Sequence, residues 1–338
     1  MVFDLSENEG KFPRVITAKE ATPEEIAGSW EAIYEIDTVK VHPDVDGPLV
    51  ENCGTGMDSI KTFNISTAAS IVAAAGGICM AKHGARAITS KCGAVDILEV
   101  LGVDVECDVN LTKRSIEKAG IGIFNGMSGK VHPKALYRIL SQIRFGTILN
   151  IAGSLANPAL PSIGVRGVYS RDMVMPIVQT MKEIGYKRAF VVHGMDRDGC
   201  RGLDEISTIG RTEVAELQAD GEIDEYTLFA EDFGIKECDE SAILYQPDRT
   251  MEAVRLLKVL SGEDRGPRRD IVCLNTAPIL YITGHASDIE QGVEKAGSII
   301  DSGKPIKKLA SWVLEQNSNP DRGAELFEKM LEMANSAS

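Results

Sequence analysis

Apolar positions along the chain alternate between short continuous runs and helical faces from Leu49 onward. Short runs bounded by turn residues favour buried strands, and apolar residues spaced three or four apart favour amphipathic helices. The pattern predicts strands at 49–52, 77–81, 147–151, 164–169, 189–194 and 269–274, with shorter strand-like or mixed segments at 213–217 and 222–228. It predicts helices at 66–75, 94–101, 112–119, 133–143, 170–183, 251–260, 275–281, 290–302 and 306–315. Strands that alternate with helices indicate an α/β sheet covered on both faces.

Upstream of this pattern, a helix is predicted to begin at Thr22-Pro23-Glu24-Glu25. Thr is a good N-cap, Pro fits the first helical position, and Glu three residues after the cap completes a capping box. The following segment 42–48, HPDVDGP, has the composition of a linker. We place the first domain boundary there, between an N-terminal helical segment and the sheet.

The composition narrows the classes of function. The chain has 338 residues and a net charge of −14, which argues against nucleic acid as a partner because backbone binding needs a basic surface. No apolar run approaches about 18 residues, so no membrane span is expected. The acidic start lacks the order of a signal peptide, and the seven cysteines form no CxxC pair. We therefore expect a cytoplasmic protein that has no membrane partner.

Residues 53–93 carry the clearest chemistry in the chain. The turn Gly54-Thr55-Gly56 follows a predicted strand, and Asn64-Ile65-Ser66-Thr67 begins a helix a few residues later. Glycine lets the backbone approach a ligand closely, and hydroxyls with free N–H groups at a helix start suit an anion. The turn by itself matches neither GxGxxG nor a P-loop, so a plain tight turn is the alternative. The combination predicts a phosphate site.

A basic segment, Lys82-His83-Gly84-Ala85-Arg86, is predicted to follow the next strand. At the end of a strand, Lys82 and Arg86 would supply counter-charge for phosphate, whereas the alternative is a solvated basic loop. For His83, a structural hydrogen bond to the backbone and a contact with a ligand are equally open.

Two adjacent carboxylates, Asp204 and Glu205, follow the predicted strand at 189–194. Hard oxygen ligands of this kind suit Mg²⁺, which is usually held by one or two carboxylates together with phosphate oxygens of a substrate. The alternative is an acidic helix start. Together with the phosphate site, the pair predicts a magnesium-dependent reaction.

The motifs CGTGMD, TFNISTAAS, AKHGAR, SKCG, NIAGSLANPA, VVHG, GLDEIS and RDIVCLNTAPILY occur in this order. This series resembles the anthranilate phosphoribosyltransferase family, in a superfamily that includes pyrimidine nucleoside phosphorylases. The resemblance implies an α/β fold, with a large sheet domain flanked by helices and a small helical domain that is reduced here. The small domain would comprise 1–46 with part of 129–146, and the large domain 47–128 and 147–338. The implied reaction is Mg²⁺-dependent transfer of a 5-phosphoribosyl group from phosphoribosyl pyrophosphate.

The resemblance also assigns expected roles to residues. Lys82 and Asp58 match catalytic positions, and Ser66, Asp204 and Glu205 match magnesium-associated positions. The positions that would hold phosphoribosyl pyrophosphate are Gly54, Thr55, Gly56, Asp58, Thr62, Asn64, Ser66, Thr67 and Lys82. The positions that would line the acceptor pocket are Met57, His83, Ala85, Gln142 and Ser154.

Departures from the family motifs are concentrated in the acceptor half. Met57 stands where the family has Gly, Ala85 where it has Asn, and Ser154 where it has Pro. The family Arg that grips the anthranilate carboxylate aligns near Gln142, although Arg138 or Arg144 could substitute. These departures predict a nitrogen acceptor other than anthranilate.

Anthranilate itself stays open as the acceptor, as do a nucleoside phosphorylase-type enzyme and a non-catalytic binding relative. A homodimer is implied by the family, but the first helices of its N-terminal bundle have no counterpart here. Those helices help to form the usual dimer contact, so the oligomeric state also stays open.

Overall fold

The computed structural model describes residues 21–86, 93–142, 147–246 and 248–336. Within these ranges the helices are α1 (Pro23–Asp37), α2 (Ile65–Ala75), α3 (Ala94–Val100), α4 (Val109–Ala119), α5 (Leu136–Gln142), α6 (Ile148–Leu155), α7 (Val174–Glu183), α8 (Arg249–Ser261), α9 (Pro267–Ile282), α10 (Ile289–Asp301), α11 (Lys304–Glu315) and α12 (Pro320–Ser336). The strands are β1 (Leu49–Gly54), β2 (Cys79–Gly84), β3 (Ile121–Asn125), β4 (Ile163–Gly167), β5 (Arg188–Met195), β6 (Gly202–Leu203), β7 (Thr212–Leu217) and β8 (Ile223–Leu228).

One mixed sheet organises the molecule, with strand order β3-β2-β1-β4-β5-β7-β8 and β6 paired to β5. The five strands from β3 to β5 are parallel, whereas β7 and β8 are antiparallel to their neighbours. The carboxyl ends of the parallel strands therefore meet at one edge of the sheet. In open α/β sheets, ligands bind at that edge.

Helices cover both faces of this sheet, as the sequence pattern predicts. Side chains of β5 alternate between the two faces, so that Phe190 and Val192 join one hydrophobic core and Ala189 and Val191 join the other. The first core includes α2 and the C-terminal helices, and the second includes α1, α6 and α7. The α/β fold class is confirmed.

Helix α1 begins where the sequence places it. Thr22 accepts from the backbone N–H of Glu25, the Glu25 carboxylate accepts from the backbone N–H of Thr22, and Pro23 occupies the first helical position. The helix is joined to the second core through Ile26, Ile33 and Tyr34. The division of the chain into two domains stays a prediction, and residues 1–20 of the small domain lie outside the described ranges.

Two predicted strands are helices in the structure. Residues 148–151 belong to α6, and Thr147 is its N-cap and forms a capping box with Asn150. Residues 269–274 belong to α9, which begins at Pro267 and continues through Pro278 to Ile282. Both segments are short apolar runs, and periodicity alone does not distinguish a buried strand from a buried helix in such runs.

Two other details differ from the prediction. Strand β2 begins later than expected and extends through Gly84, so Lys82 and His83 lie inside the sheet and not in a loop after it. Strand β3 was not predicted, although all five of its residues are buried. In the part of the chain that the structure describes, no helix is both long and apolar enough to cross a membrane.

Candidate functional site

A cavity of about 240 Å³ opens at the carboxyl ends of β1 and β2. Its walls come from the turn after β1, the start of α2, the end of β2, helices α5 and α6, and the loop that contains Asp204 and Glu205. The predicted donor-site residues that line it are Gly54, Thr55, Gly56, Asp58, Thr62, Asn64, Ser66 and Lys82. The chain thus brings together residues that are far apart in sequence.

Thr67 is the predicted donor-site residue that does not line the cavity. Its side chain is fully buried in α2, and its hydroxyl has no hydrogen-bond partner among the described residues.

The turn after β1 is held against the acidic loop. Asp204 Oδ2 accepts a hydrogen bond from the Gly56 backbone N–H at 2.6 Å. A Cβ atom at Gly54 would lie 2.4 Å from the same oxygen, so only glycine permits this approach. The hydroxyl and the backbone N–H of Ser59 also reach Gly202 O, each at 3.1 Å. The predicted donor turn and the predicted magnesium pair are therefore one structural unit.

Three buried carboxylates converge on this unit: Asp58, Asp204 and Glu205. Burial, and then the charge of Asp204, raises the pKa of Asp58 to about 7, although Lys61 Nζ lies only 2.8 Å from Asp58 Oδ1. The same two causes raise the pKa of Glu205 well above its ordinary value, against the effects of Lys82 and of a hydrogen bond from the Ser66 backbone N–H. Burial and the neighbouring carboxylate therefore disfavour the charged forms of Asp58 and Glu205 more than the adjacent lysines favour them.

The arrangement fits a cation that is completed by its ligand. Among the described residues, no group of three or more His, Cys, Asp and Glu could hold a metal ion alone. A divalent cation would stabilise the charged form of these carboxylates, and Mg²⁺ usually takes only one or two carboxylates and shares substrate phosphate oxygens. Ser66, Asp204 and Glu205 all line the same cavity. These residues therefore fit a magnesium ion shared with a diphosphate.

Lys82 is buried, with its ammonium group directed at protein acceptors. Nζ donates to Asn52 O at 2.7 Å and to Ser70 Oγ at 2.9 Å. Burial lowers the pKa of Lys82 to about 8. In this position the side chain connects β2 with β1 and α2, and its charge lies beneath the start of α2.

The part of the cavity where the acceptor-pocket residues were predicted, which we call the acceptor half, is largely apolar. Of the residues predicted there, Met57, His83, Ala85 and Ser154 line the cavity. Gln142 does not line it, and is exposed at the last position of α5. Arg138 does not line the cavity either, and Arg144 lies outside the described residues. Sequence reasoning missed further lining residues, namely Gly126, Met127, Leu136, Leu140, Asn150 and Gly153.

His83 is held by hydrogen bonds on both ring nitrogens. Nδ1 lies 3.2 Å from Ser154 O, and Nε2 lies 3.4 Å from Nε2 of His132. A carbonyl oxygen only accepts, so Nδ1 of His83 carries the proton. Burial lowers the pKa of His83 to about 4 and that of His132 to about 3. Both imidazoles are therefore neutral near pH 7.

A buried ionic cluster lies below the acceptor half. Arg166 on β4 pairs with Glu51 on β1 at 3.1 Å, and the side chain of each is only 1% exposed. The Glu51 carboxylate also accepts from Tyr186 Oη at 2.9 Å and from Asn157 Nδ2 at 3.1 Å. Sequence reasoning did not identify this cluster. The signal was a charged residue in the middle of each of two otherwise buried strands.

Comparisons with known proteins agree with this geometry. The model of the glycosyl transferase family, a/b domain, matches residues 46–306. Anthranilate phosphoribosyltransferase of Methanocorpusculum labreanum is 37% identical over 92% of this chain and 89% of its own length. The enzyme of the same name from Anaeromyxobacter dehalogenans is 40% identical over 90% of this chain and 87% of its own length.

Solved structures give the same result. Anthranilate phosphoribosyltransferase from Thermus thermophilus superposes with a TM-score of 0.77 and 31% identity, over 89% of this chain and 87% of its own. The Saccharomyces cerevisiae enzyme, solved in complex with phosphoribosyl pyrophosphate and Mg, has a TM-score of 0.76 and 26% identity, over 88% of this chain and 81% of its own. The expectation of a pentosyltransferase is thereby confirmed. The chain belongs to the anthranilate phosphoribosyltransferase family.

Proposed function

We propose that this protein transfers the 5-phosphoribosyl group of phosphoribosyl pyrophosphate to the amino group of anthranilate in a magnesium-dependent reaction. The observation that carries the proposal is the joining of the GTGMD turn, the start of α2 and the Asp204-Glu205 pair in one cavity with an apolar half. The relatives that match about nine-tenths of this chain are anthranilate phosphoribosyltransferases. A yeast relative is solved with the same donor and with Mg.

In the donor half, backbone N–H groups of the turn and of the start of α2 would bind the phosphate oxygens. Ser66, Asp204 and Glu205 would hold Mg²⁺, which when bound neutralises charge on the leaving diphosphate. The bond from the anomeric carbon to the diphosphate oxygen breaks, and a bond from that carbon to the acceptor nitrogen forms. The diphosphate leaves with the electron pair of the broken bond, and the nitrogen loses one proton to solvent. The positive charge of Lys82 beneath α2 favours the anion throughout.

In the acceptor half, Met127, Leu136 and Leu140 present apolar surface that suits an aromatic ring. The imidazole of His83 is neutral near pH 7, so it adds no charge to the adjoining wall. The hypothesis of a different acceptor finds no support in the comparisons, so we assign anthranilate in its place. Donors for its carboxylate would come from polar groups on this wall, such as Asn150.

The test measures donor binding and acceptor turnover separately. Calorimetry with phosphoribosyl pyrophosphate and Mg²⁺ reports donor binding, and loss of anthranilate fluorescence with release of diphosphate reports transfer. We expect both. Absence of donor binding would overturn the proposal, whereas donor binding with turnover only of another amine would refute the assignment of anthranilate.

A homodimer, a cytoplasmic location and the absence of a nucleic-acid partner stay predictions for this protein. The family match and the net charge of −14 are consistent with them. Size-exclusion chromatography with light scattering would decide the first.

A further inference from the structure

Arg166 extends from the middle of β4 to the wall of the acceptor half. Its Nη1 donates to Ser154 Oγ at 2.9 Å, and its Nη2 lies 3.3 Å from Ser154 O. Ser154 lies in the last turn of α6 and lines the cavity. Carbonyls in the last turn of a helix have no partner within the helix. The guanidinium therefore provides the hydrogen bonds that the end of α6 lacks.

The same carbonyl also receives His83. Ser154 O accepts from Nδ1 of His83 at 3.2 Å as well as from Arg166. One backbone oxygen thus joins a charged residue of β4 to an imidazole of β2 that borders the cavity. Any displacement of the end of α6 would move the Ser154 hydroxyl together with the Ser154 carbonyl oxygen, which accepts the His83 proton.

A buried ion pair is a costly way to hold a helix end. Removing two charges from water costs several kcal/mol per ion, and apolar replacements of such pairs are often as stable or more stable. Arg166 and Glu51 are nevertheless both buried, and Arg166 Nε has no partner among the described residues. Stability alone gives a weak reason for a charge at this place. The contacts of Arg166 with the cavity wall give a functional reason.

We propose that Arg166 is a positioning residue for the acceptor, acting through Ser154 and His83. It fixes the end of α6 and the orientation of the His83 ring, and so sets the shape of the acceptor half. Toward the predicted donor turn it makes only the contact of Nη1 with Cys53 Sγ, at 3.5 Å, among the described residues. This proposal rests on the proposed function. It predicts that loss of Arg166 weakens acceptor use and leaves donor binding intact.

The sheet contains a matched control at its opposite edge. Arg188, at the amino end of β5, pairs with Glu216 at 2.5 Å, and Glu216 accepts from Tyr226 Oη at 2.8 Å. This triad has the same residue types as Arg166, Glu51 and Tyr186. It does not line the cavity. Arg188→Met therefore removes a comparable ion pair without a contact to the acceptor wall.

The experiment compares Arg166→Met, Arg166→Lys and Arg188→Met in the full chain. For Arg166→Met we expect the KM for anthranilate to rise about tenfold or more, the loss expected for charge-assisted hydrogen bonds. Calorimetric affinity for phosphoribosyl pyrophosphate with Mg²⁺ should stay within about twofold of the wild type. Arg166→Lys should restore part of the KM, and Arg188→Met should leave it unchanged. An unchanged KM in Arg166→Met, or an equal loss in Arg188→Met, would overturn the proposal.

Arg166→Met leaves the Glu51 charge uncompensated, so the variant can fail to fold. The pair Arg166→Met with Glu51→Gln removes both charges and is the second variant for the same measurements.

A further readout needs no acceptor. The chain has five histidines, and ¹⁵N spectra with a His83→Gln variant for assignment would identify the His83 ring. We expect a protonated Nδ1 in the wild type and in Arg188→Met, and a changed signal in Arg166→Met. An unchanged His83 signal would contradict the proposed coupling even if anthranilate proved to be the wrong acceptor. Lack of turnover in the wild type would refute the proposed function alone.

Discussion

His83 and His132 show how burial sets the charge of a site. Their Nε2 atoms lie 3.4 Å apart, and burial is the largest cause of the lowered pKa of each ring. For His132, the second cause is the positive charge that His83 would carry. One Nε2 atom in this contact must donate and the other must accept, so the two rings are not both protonated. Their neutrality follows from packing.

The histidine pair predicts an acid-sensitive contribution to stability. The folded pKa values, about 4 and about 3, lie below the ordinary value of 6.5. Their contribution is therefore present above pH 6.5 and is lost as the pH falls toward 4. We expect the stability difference between the wild type and His132→Gln to shrink over that window. Urea unfolding at several pH values measures it, and a difference independent of pH would contradict the assignment.

The acidic pair predicts a loss of magnesium dependence. Asp204→Asn with Glu205→Gln keeps side-chain size but removes two charges from the cavity. We expect the variant to bind phosphoribosyl pyrophosphate with an affinity that no longer responds to Mg²⁺, as calorimetry would show. Asp220→Asn, in the turn between β7 and β8, serves as the control. A retained magnesium response in the double variant would refute the metal assignment.

At this scale, all but one of the residues predicted for the donor line the cavity, and so do all but one of those predicted for the acceptor. Gly54, Asp58 and Ser66 lie in a short stretch whose composition indicates phosphate chemistry. Gln142 was placed in the pocket by alignment and lies outside it. The partnership of Glu51 with Arg166 joins residues 115 positions apart, and no local pattern specifies such a contact.

Helices α6 and α9 show which elements a sequence pattern identifies poorly. Both contain a short apolar run that was predicted as a strand, and both are buried against neighbouring elements. Local signals were nevertheless present, since Thr147 and Asn150 form a capping box and Pro267 stands at the first turn of α9. The long amphipathic helices were predicted correctly because their periodicity extends over more residues. Most parallel strands were predicted from short apolar runs bounded by turn residues.

Two helical glycines predict opposite effects of the same substitution. A Cβ at Gly292 in α10 would lie 2.8 Å from Ala277 O and 2.9 Å from Ala277 Cα, whereas a Cβ at Gly28 in α1 would meet nothing within 4 Å. We expect Gly292→Ala to destabilise by about 1–3 kcal/mol through overpacking against α9. Gly28→Ala should stabilise by about 0.5–1 kcal/mol, because alanine restricts the unfolded chain.

Thermal or urea unfolding of both variants measures these changes. Equal effects of the two substitutions would contradict the close packing of α9 against α10.

Across the whole molecule, the parallel strands bring the two halves of the site together. Strand β1 leads into the predicted donor turn, and β2 ends at His83-Gly84. The loop that contains Asp204 passes close to the end of β4. A Cβ at Gly167 would lie 1.6 Å from Asp204 O, so this close approach requires glycine. The sequence predicts the sheet and its active edge. The closeness of these segments depends on tertiary contacts that the sequence pattern does not contain.

The raised pKa values predict how donor binding depends on pH. The folded pKa of Asp58, about 7, lies above its ordinary value of 3.8, so the stability that its proton contributes is lost as the pH rises through 7. Cation binding favours the deprotonated carboxylates and releases protons. We therefore expect phosphoribosyl pyrophosphate with Mg²⁺ to raise the Tm more at pH 8 than at pH 6.

Differential scanning fluorimetry measures both shifts. Asp58→Asn should reduce the difference between the two pH values, which separates the contribution of the protein from titration of the ligand. Equal Tm shifts at pH 6 and pH 8 in the wild type would contradict the prediction.

Asp204 and Glu205 accept hydrogen bonds from the Gly56 and Ser66 backbone N–H groups, donors that a phosphate group would also use. The two carboxylates therefore compete with a bound phosphate for the same backbone donors. A simple anion such as sulfate would have to displace a carboxylate from its backbone donor without supplying a new partner for it. We therefore expect sulfate to bind weakly. A diphosphate that arrives with a cation gives the displaced carboxylates a new partner. The preference for a diphosphate with a cation over a simple anion would then depend on whether the displaced carboxylates gain a new partner, and not only on the shape of the cavity.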